Sequence, residues 1–152
     1  MIRPIAAGLA LFLASSAHSA EPAAADRNAL MHLASRMDEA WGAADANANA
    51  DLFAADATAR FGDDPLAEGR EAIRAQFRTF FTDRPPGLRH VTRIERIEQL
   101  GPDIALWDAE VRVERKQPAG EWAVLTRIWN VTLIARQSDG WRIKAVRAVP
   151  VR

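Results

Sequence analysis

The stretch from Leu88 to Val149 constrains the fold more than any other part of the chain. It alternates with a period of two and is cut by turn residues at Gly101-Pro102-Asp103, Gln117-Pro118-Ala119-Gly120 and Ser138-Asp139-Gly140. Alternation of that period is the mark of half-buried strands, and turns this short join strands that run antiparallel. The expected strands are Leu88 to Leu100, Ile104 to Lys116, Trp122 to Arg136 and Trp141 to Val149. A wholly helical fold and a wholly parallel sheet are both excluded, the latter because parallel neighbours need long crossovers.

Upstream the period changes. Leu30, Leu33, Ala34, Met37 and Trp41 recur at helical spacing, with Asp26 as an N-cap candidate and Gly42 near the end. A short second helix follows Asp45 and ends near Phe53 and Ala54. Ala57 to Asp63 reads as a strand that Asp63-Asp64-Pro65 breaks. Gly69 introduces a third helix, Arg70 to about Phe81, and Pro85-Pro86-Gly87 stops it. Helices first and a meander afterwards is an α+β order, with a curved, mostly antiparallel sheet wrapped around three helices.

Residues 1–20 carry a different pattern. Arg3 gives a positive start, Ile5 to Ala14 is an apolar run, and Ser15, Ser16, Ala17, Ser19 and Ala20 are small. This is the layout of a secretory signal peptide, too short in its apolar part to span a bilayer. The expected organisation is a signal peptide over 1–20, a flexible lead-in over 21–27 and one domain over 28–150. The product is periplasmic or secreted and free of the membrane after cleavage. Twenty acids balance twenty bases, so charge gives no reason to expect nucleic acid as a partner. The absence of cysteine excludes a disulfide framework, a thiol nucleophile and thiolate-bound metals, and there is no tyrosine to act as an oxyanion donor.

Several stretches in chain order resemble a known superfamily. Trp41 closes the first helix and Asp45 follows; Leu52-Phe53-Ala54 and Asp56-Ala57 enter the first strand; Gly69-Arg70-Glu71-Ala72-Ile73 opens the third helix. Leu100-Gly101-Pro102-Asp103-Ile104-Ala105 and Asp139-Gly140-Trp141-Arg142-Ile143 mark two later turns. Together they make residues 28 to 149 similar to the SnoaL-like, or NTF2-like, superfamily, and most similar to its SgcJ/EcaC (DUF4440-like) type. The resemblance implies an α+β cone with a pocket between sheet and helices, and usually a homodimer packed through the sheets. It does not imply one activity, since relatives include ketosteroid isomerases, polyketide cyclases, dehydratases, epoxide hydrolase-like enzymes and non-catalytic carriers.

Candidate chemistry follows from strand parity, because polar groups that share a face with buried apolar residues point into the cone. That rule places Asp63 inward with Phe61, Arg127 with Trp129, and Arg147 with Ala145. Asp63 is then a candidate general base and the two arginines a clamp for an anionic group. The ketosteroid isomerase resemblance also puts a carboxylate base near Asp63, although Phe61 fits that position as well. The polyketide cyclase resemblance points instead to Asp108 assisted by His90, with Asp108 on the outward parity. Phe61, Trp107 and Trp129 are expected to line the pocket. Ile104, Leu106, Ile128 and Ile134 are expected to form an outward apolar stripe that a second copy covers. No paired histidines, glycine-rich phosphate loop or Gly-x-Ser-x-Gly occurs, so neither metal nor cofactor is expected.

Three functions remain open on these residues. The first is an exported domain that binds a small hydrophobic or anionic molecule. The second is a cofactor-independent isomerase, cyclase, dehydratase or hydrolase using a pocket Asp as base. The third is a non-catalytic dimeric module.

Overall fold

The computed structural model describes residues 21–151. The signal-peptide reading of residues 1–20 falls outside this range. The order of elements is α1 (Ala24–Gly42), α2 (Ala46–Ala50), β1 (Phe53–Phe61), β2 (Ala67–Glu68), α3 (Arg70–Thr82), β3 (Leu88–Gly101), β4 (Ile104–Lys116), β5 (Trp122–Gln137) and β6 (Gly140–Pro150). The strands form one sheet in the order β2-β1-β6-β5-β4-β3. All pairings are antiparallel except β1 with β6, which the intervening helix and meander make parallel.

The expected α+β architecture is present. The helices cover the concave side of the sheet, and Leu30, Leu33 and Trp41 from α1 meet Ile73 and Phe77 from α3 over Phe53, Trp107 and Ile143. Burying each large side chain of this kind favours the fold by about 1.5–3 kcal/mol. Asp45 caps α2 by accepting from the amides of Asn47 at 3.0 Å and Ala48 at 2.9 Å.

Three differences from the sequence expectation concern the N-terminal half. α1 starts at Ala24, three residues before the expected Arg27, and Asp26 lies in its first turn rather than at its cap. α2 ends at Ala50 because Leu52, Phe53 and Ala54 are drawn into the core, so β1 begins at Phe53 and ends at Phe61. The short β2 pairs with β1 through Thr58 and Ala59 and was not expected.

One-residue bulges reset the facing of three strands. Ile94 and Arg96 oppose consecutive residues of β4, leaving Glu95 as the extra residue. Leu125 is the extra residue of β5 against Val113 and Glu114. Lys144 is the extra residue of β6 between the partners of Leu133 and Ile134. A bulge moves every later side chain to the other face. It also sharpens the bend of the sheet, which closes the cone.

Candidate functional site

Between the helices and the concave sheet lies a cavity of about 170 Å³. α1 contributes Ala34, Met37 and Trp41; α3 contributes Gln76, Phe77 and Phe80; β1 contributes Phe53 and Phe61. The meander adds His90 and Thr92, Trp107 and Val113, Ile128, Asn130 and Thr132, and Ile143, Val146 and Ala148. The wall is mainly apolar, with a small number of polar groups set into it, which is the usual character of a small-molecule pocket.

One polar cluster is organised. Asp38, on α1 one residue after Met37, accepts three hydrogen bonds from β3. His90 Nδ1 lies 2.6 Å from Asp38 Oδ1. The Thr92 amide donates to Oδ2 at 2.8 Å, and the Thr92 hydroxyl donates to Oδ1 at 2.7 Å. Since a carboxylate only accepts, His90 carries a proton on Nδ1, and in the neutral form of the ring Nε2 is bare. The Thr92 amide faces Asp38 because β3 is the edge of the sheet, so the carboxylate also satisfies part of that edge.

The His90 ring is further held by Trp41, with centroids 5.2 Å apart. Arg84 in turn places its guanidinium 4.3 Å from the Trp41 ring centre. It also donates to the carbonyls of Trp41 and Gly42, the latter at 2.9 Å, and so satisfies the C-terminal end of α1. Burial pulls the Arg84 guanidinium below the ordinary arginine value. Arg84 and His90 thus both pack against the Trp41 ring beside the cavity.

Of the candidate site residues read from sequence, Phe61, His90 and Trp107 line the cavity. The other site candidates do not. Asp63 sits in an exposed turn beyond the end of β1, and the neighbouring Asp64 touches the cavity instead. Asp108 lies half-buried on the convex face, between the inward Trp107 and Ala109. Arg127 and Trp129 also face outward, because β5 buries its other parity: Ile128, Asn130 and Thr132 line the cavity and Ile134 is fully buried. The expected outward placing of Ile128 and Ile134 is corrected by the same fact. Arg147 is turned outward by the Lys144 bulge and donates to the Thr58 hydroxyl at 3.2 Å. The anionic clamp expected from Arg127 and Arg147 is therefore absent from the cavity wall.

Asp38 and Asn130 were missed. Asp38 falls four residues after Ala34 and three before Trp41, so an acid within the apolar stripe of α1 was a legible signal. Its partner His90 is 52 residues away, and nothing local announces that pairing. Among the described residues no three His, Asp or Glu side chains are grouped to hold a metal ion.

The SnoaL-like domain family matches residues 22–147. No curated protein matches the chain in sequence. Solved structures share the fold at low identity. A domain of unknown function with a cystatin-like fold from Nostoc punctiforme has a TM-score of 0.74 at 19% identity, covering 86% of this chain and 80% of its own. An NTF2-like protein from Novosphingobium aromaticivorans has a TM-score of 0.70 at 22% identity, covering 84% and 82%. A ketosteroid isomerase-like protein from Erwinia carotovora has a TM-score of 0.67 at 15% identity, covering 82% and 95%. With the helices, the sheet order and the cavity in their places, the chain belongs to the SnoaL-like domain family and has the NTF2-like, cystatin-like fold.

Proposed function

We propose that the chain binds a small, mostly apolar molecule in the cone and that His90, oriented by Asp38, transfers a proton on it without a cofactor. The observation that carries this reading is the Asp38–His90–Thr92 cluster set into the wall of an otherwise apolar cavity. A carboxylate on one imidazole nitrogen fixes the tautomer and stabilises the imidazolium once the other nitrogen has taken a proton. The apolar surroundings exclude water, which strengthens that interaction. Proton transfer is in keeping with the fold shared with a ketosteroid isomerase-like protein. The base is His90 rather than the Asp63 or Asp108 of the sequence reading, because both of those carboxylates lie outside the cavity.

The test is native mass spectrometry of protein purified without denaturation, followed by incubation of any retained molecule in deuterium oxide. Wild type is expected to exchange or convert it, and His90→Gln is expected to bind it without conversion. Equal conversion by the variant contradicts the role of His90.

A homodimer is the second part of the proposal. The convex face exposes Leu125 at 48%, Trp129 at 39%, Val131 at 38% and Val149 at 59%. Asp108 and Glu110 on β4 flank this stripe on one side, and Arg147 and Arg60 on β6 and β1 flank it on the other. A two-fold axis along β5 lays each acidic flank over the partner's basic one, and a self-complementary face of that kind suits a closed pair. Export, supported by the pattern of residues 1–20, and kinship with the SgcJ/EcaC type, supported by the turn residues, complete the proposal. N-terminal sequencing of the secreted form tests the former; a start at Met1 contradicts it.

A further inference from the structure

We propose that the ligand is an uncharged molecule bearing a hydroxyl or similar hydrogen-bond donor, and that Gln76 and Asp64 receive this donor while carboxylates are rejected. The inference rests on the binding reading above and names its ligand class.

Several polar groups on the cavity wall offer hydrogen-bond acceptors. Gln76 uses its amide nitrogen to donate to the Pro65 carbonyl at 3.1 Å. That bond fixes which way the amide faces, and its Oε1 is left buried with no protein partner. Asp64, in the turn just before Pro65, adds a carboxylate on the same side of the cavity. Thr92 donates its hydroxyl hydrogen to Asp38 and has only lone pairs left to offer. In its neutral form the His90 ring, which donates from Nδ1 to Asp38, keeps the Nε2 lone pair as an acceptor. Asn130 Oδ1 is a second buried acceptor without a partner. Its backbone pairs with Ala109 of β4 on one side and Ala148 of β6 on the other.

Against these acceptors no lysine or arginine lines the cavity among the described residues. A buried acceptor without a partner costs about 1–3 kcal/mol, a penalty that a donor on the ligand removes. A carboxylate ligand would instead place an unpaired charge against the two amide oxygens and near the exposed Asp64 at the rim, which is unfavourable. Size narrows the class further. An apolar cavity of ~150 Å³ accommodates benzene, so a cavity of about 170 Å³ suits a single ring with a short substituent.

Three probes of one shape separate the possibilities: cyclohexanol, cyclohexanecarboxylate and methylcyclohexane, titrated against tryptophan fluorescence above the ordinary histidine pKa range. Trp41 and Trp107 on the wall supply the signal. Cyclohexanol is expected to bind at least ~10-fold more tightly than the carboxylate. Gln76→Leu is expected to weaken cyclohexanol by roughly 3- to 10-fold and to leave methylcyclohexane within about twofold. Asp64→Asn, in an exposed turn that tolerates change, is expected to raise carboxylate affinity. Carboxylate binding equal to or tighter than that of the alcohol overturns the inference and leaves the pocket reading standing. If none of the three saturates, methylcyclohexane included, the pocket reading itself falls and takes this inference with it.

Discussion

Replacing Asp38 in two ways separates its structural role from its effect on the His90 tautomer. Asp38→Ala removes three hydrogen bonds to a charged acceptor at once. The Asp38 side chain is 24% exposed and that of His90 11%, so water replaces only part of what is lost. At about 1–1.5 kcal/mol for each bond the loss is about 3–4.5 kcal/mol. For a domain of this size that lowers Tm by roughly 10 °C. Asp38→Asn behaves differently, because the amide can reverse the direction of each bond. Its oxygen, in the place of Oδ2, still accepts from the Thr92 amide. Its nitrogen, in the place of Oδ1, donates to the Thr92 hydroxyl and to His90 Nδ1. The bonds survive without charge assistance, so the cost is about 1 kcal/mol. The neutral imidazole must then carry its proton on Nε2, and the bare Nε2 is lost. Thermal denaturation measures the first effect, and two-dimensional spectra of the imidazole nitrogens measure the second. Wild type is expected to show Nδ1–H, and Asp38→Asn to show Nε2–H. A wild-type Nε2–H tautomer refutes the orientation argument, and equal destabilisation by the Asn and Ala variants refutes the reversal.

Three other outcomes follow from the packing. Arg84→Ala leaves the Trp41 and Gly42 carbonyls open and removes the guanidinium from the Trp41 ring, at an expected cost of about 2–3 kcal/mol in chemical denaturation. A change in the imidazole spectrum of His90 in that variant checks that this packing reaches the site. The hydrogen bond from Arg136 holds the Asp26 carboxyl below the usual carboxylate range, and the Lys144 hydrogen bond does the same for Asp56. A lowered folded-state pKa means that the unfolded chain takes up protons first as the solution is acidified, so this stability is present near neutrality and lost as pH falls through the folded values. Urea midpoints followed into acid should fall, and Asp26→Asn should flatten part of that slope. Trp129→Glu places a charge in the middle of the convex apolar stripe; sedimentation should show a dimer for wild type and a monomer for the variant, with the far-ultraviolet spectrum unchanged.

The meander was legible because its turns are marked by Gly, Pro and Asp and its strands are long; the expected span Ile104 to Lys116 is the observed β4. Facing was less legible, for two physical reasons. In β5 both parities are apolar, and the more apolar one, with Leu125, Trp129, Val131 and Leu133, is the convex face. Hydrophobicity alone therefore assigned Arg127 and Trp129 to the wrong side, since an apolar convex face looks like a core face in sequence. In β6 the alternation itself is interrupted, and the Lys144 bulge sends Arg147 outward although Ile143 points inward. Asp63 failed for a different reason: β1 starts early to bury Phe53 and Ala54, and so ends before reaching it. His90 was found as a residue but not as half of a pair, because a contact between α1 and an edge strand has no local trace in the chain.

The central claim is that the helices leave a receptive apolar hollow against the bent sheet. Proton–nitrogen spectra of the indole groups, recorded during titration with methylcyclohexane, address it directly. Trp41 and Trp107 should shift saturably, Trp122 and Trp129 on the exposed surface should not, and Ala148→Phe, which fills the hollow, should abolish the response. Shifts confined to the exposed tryptophans, or an unchanged response in Ala148→Phe, would contradict the account.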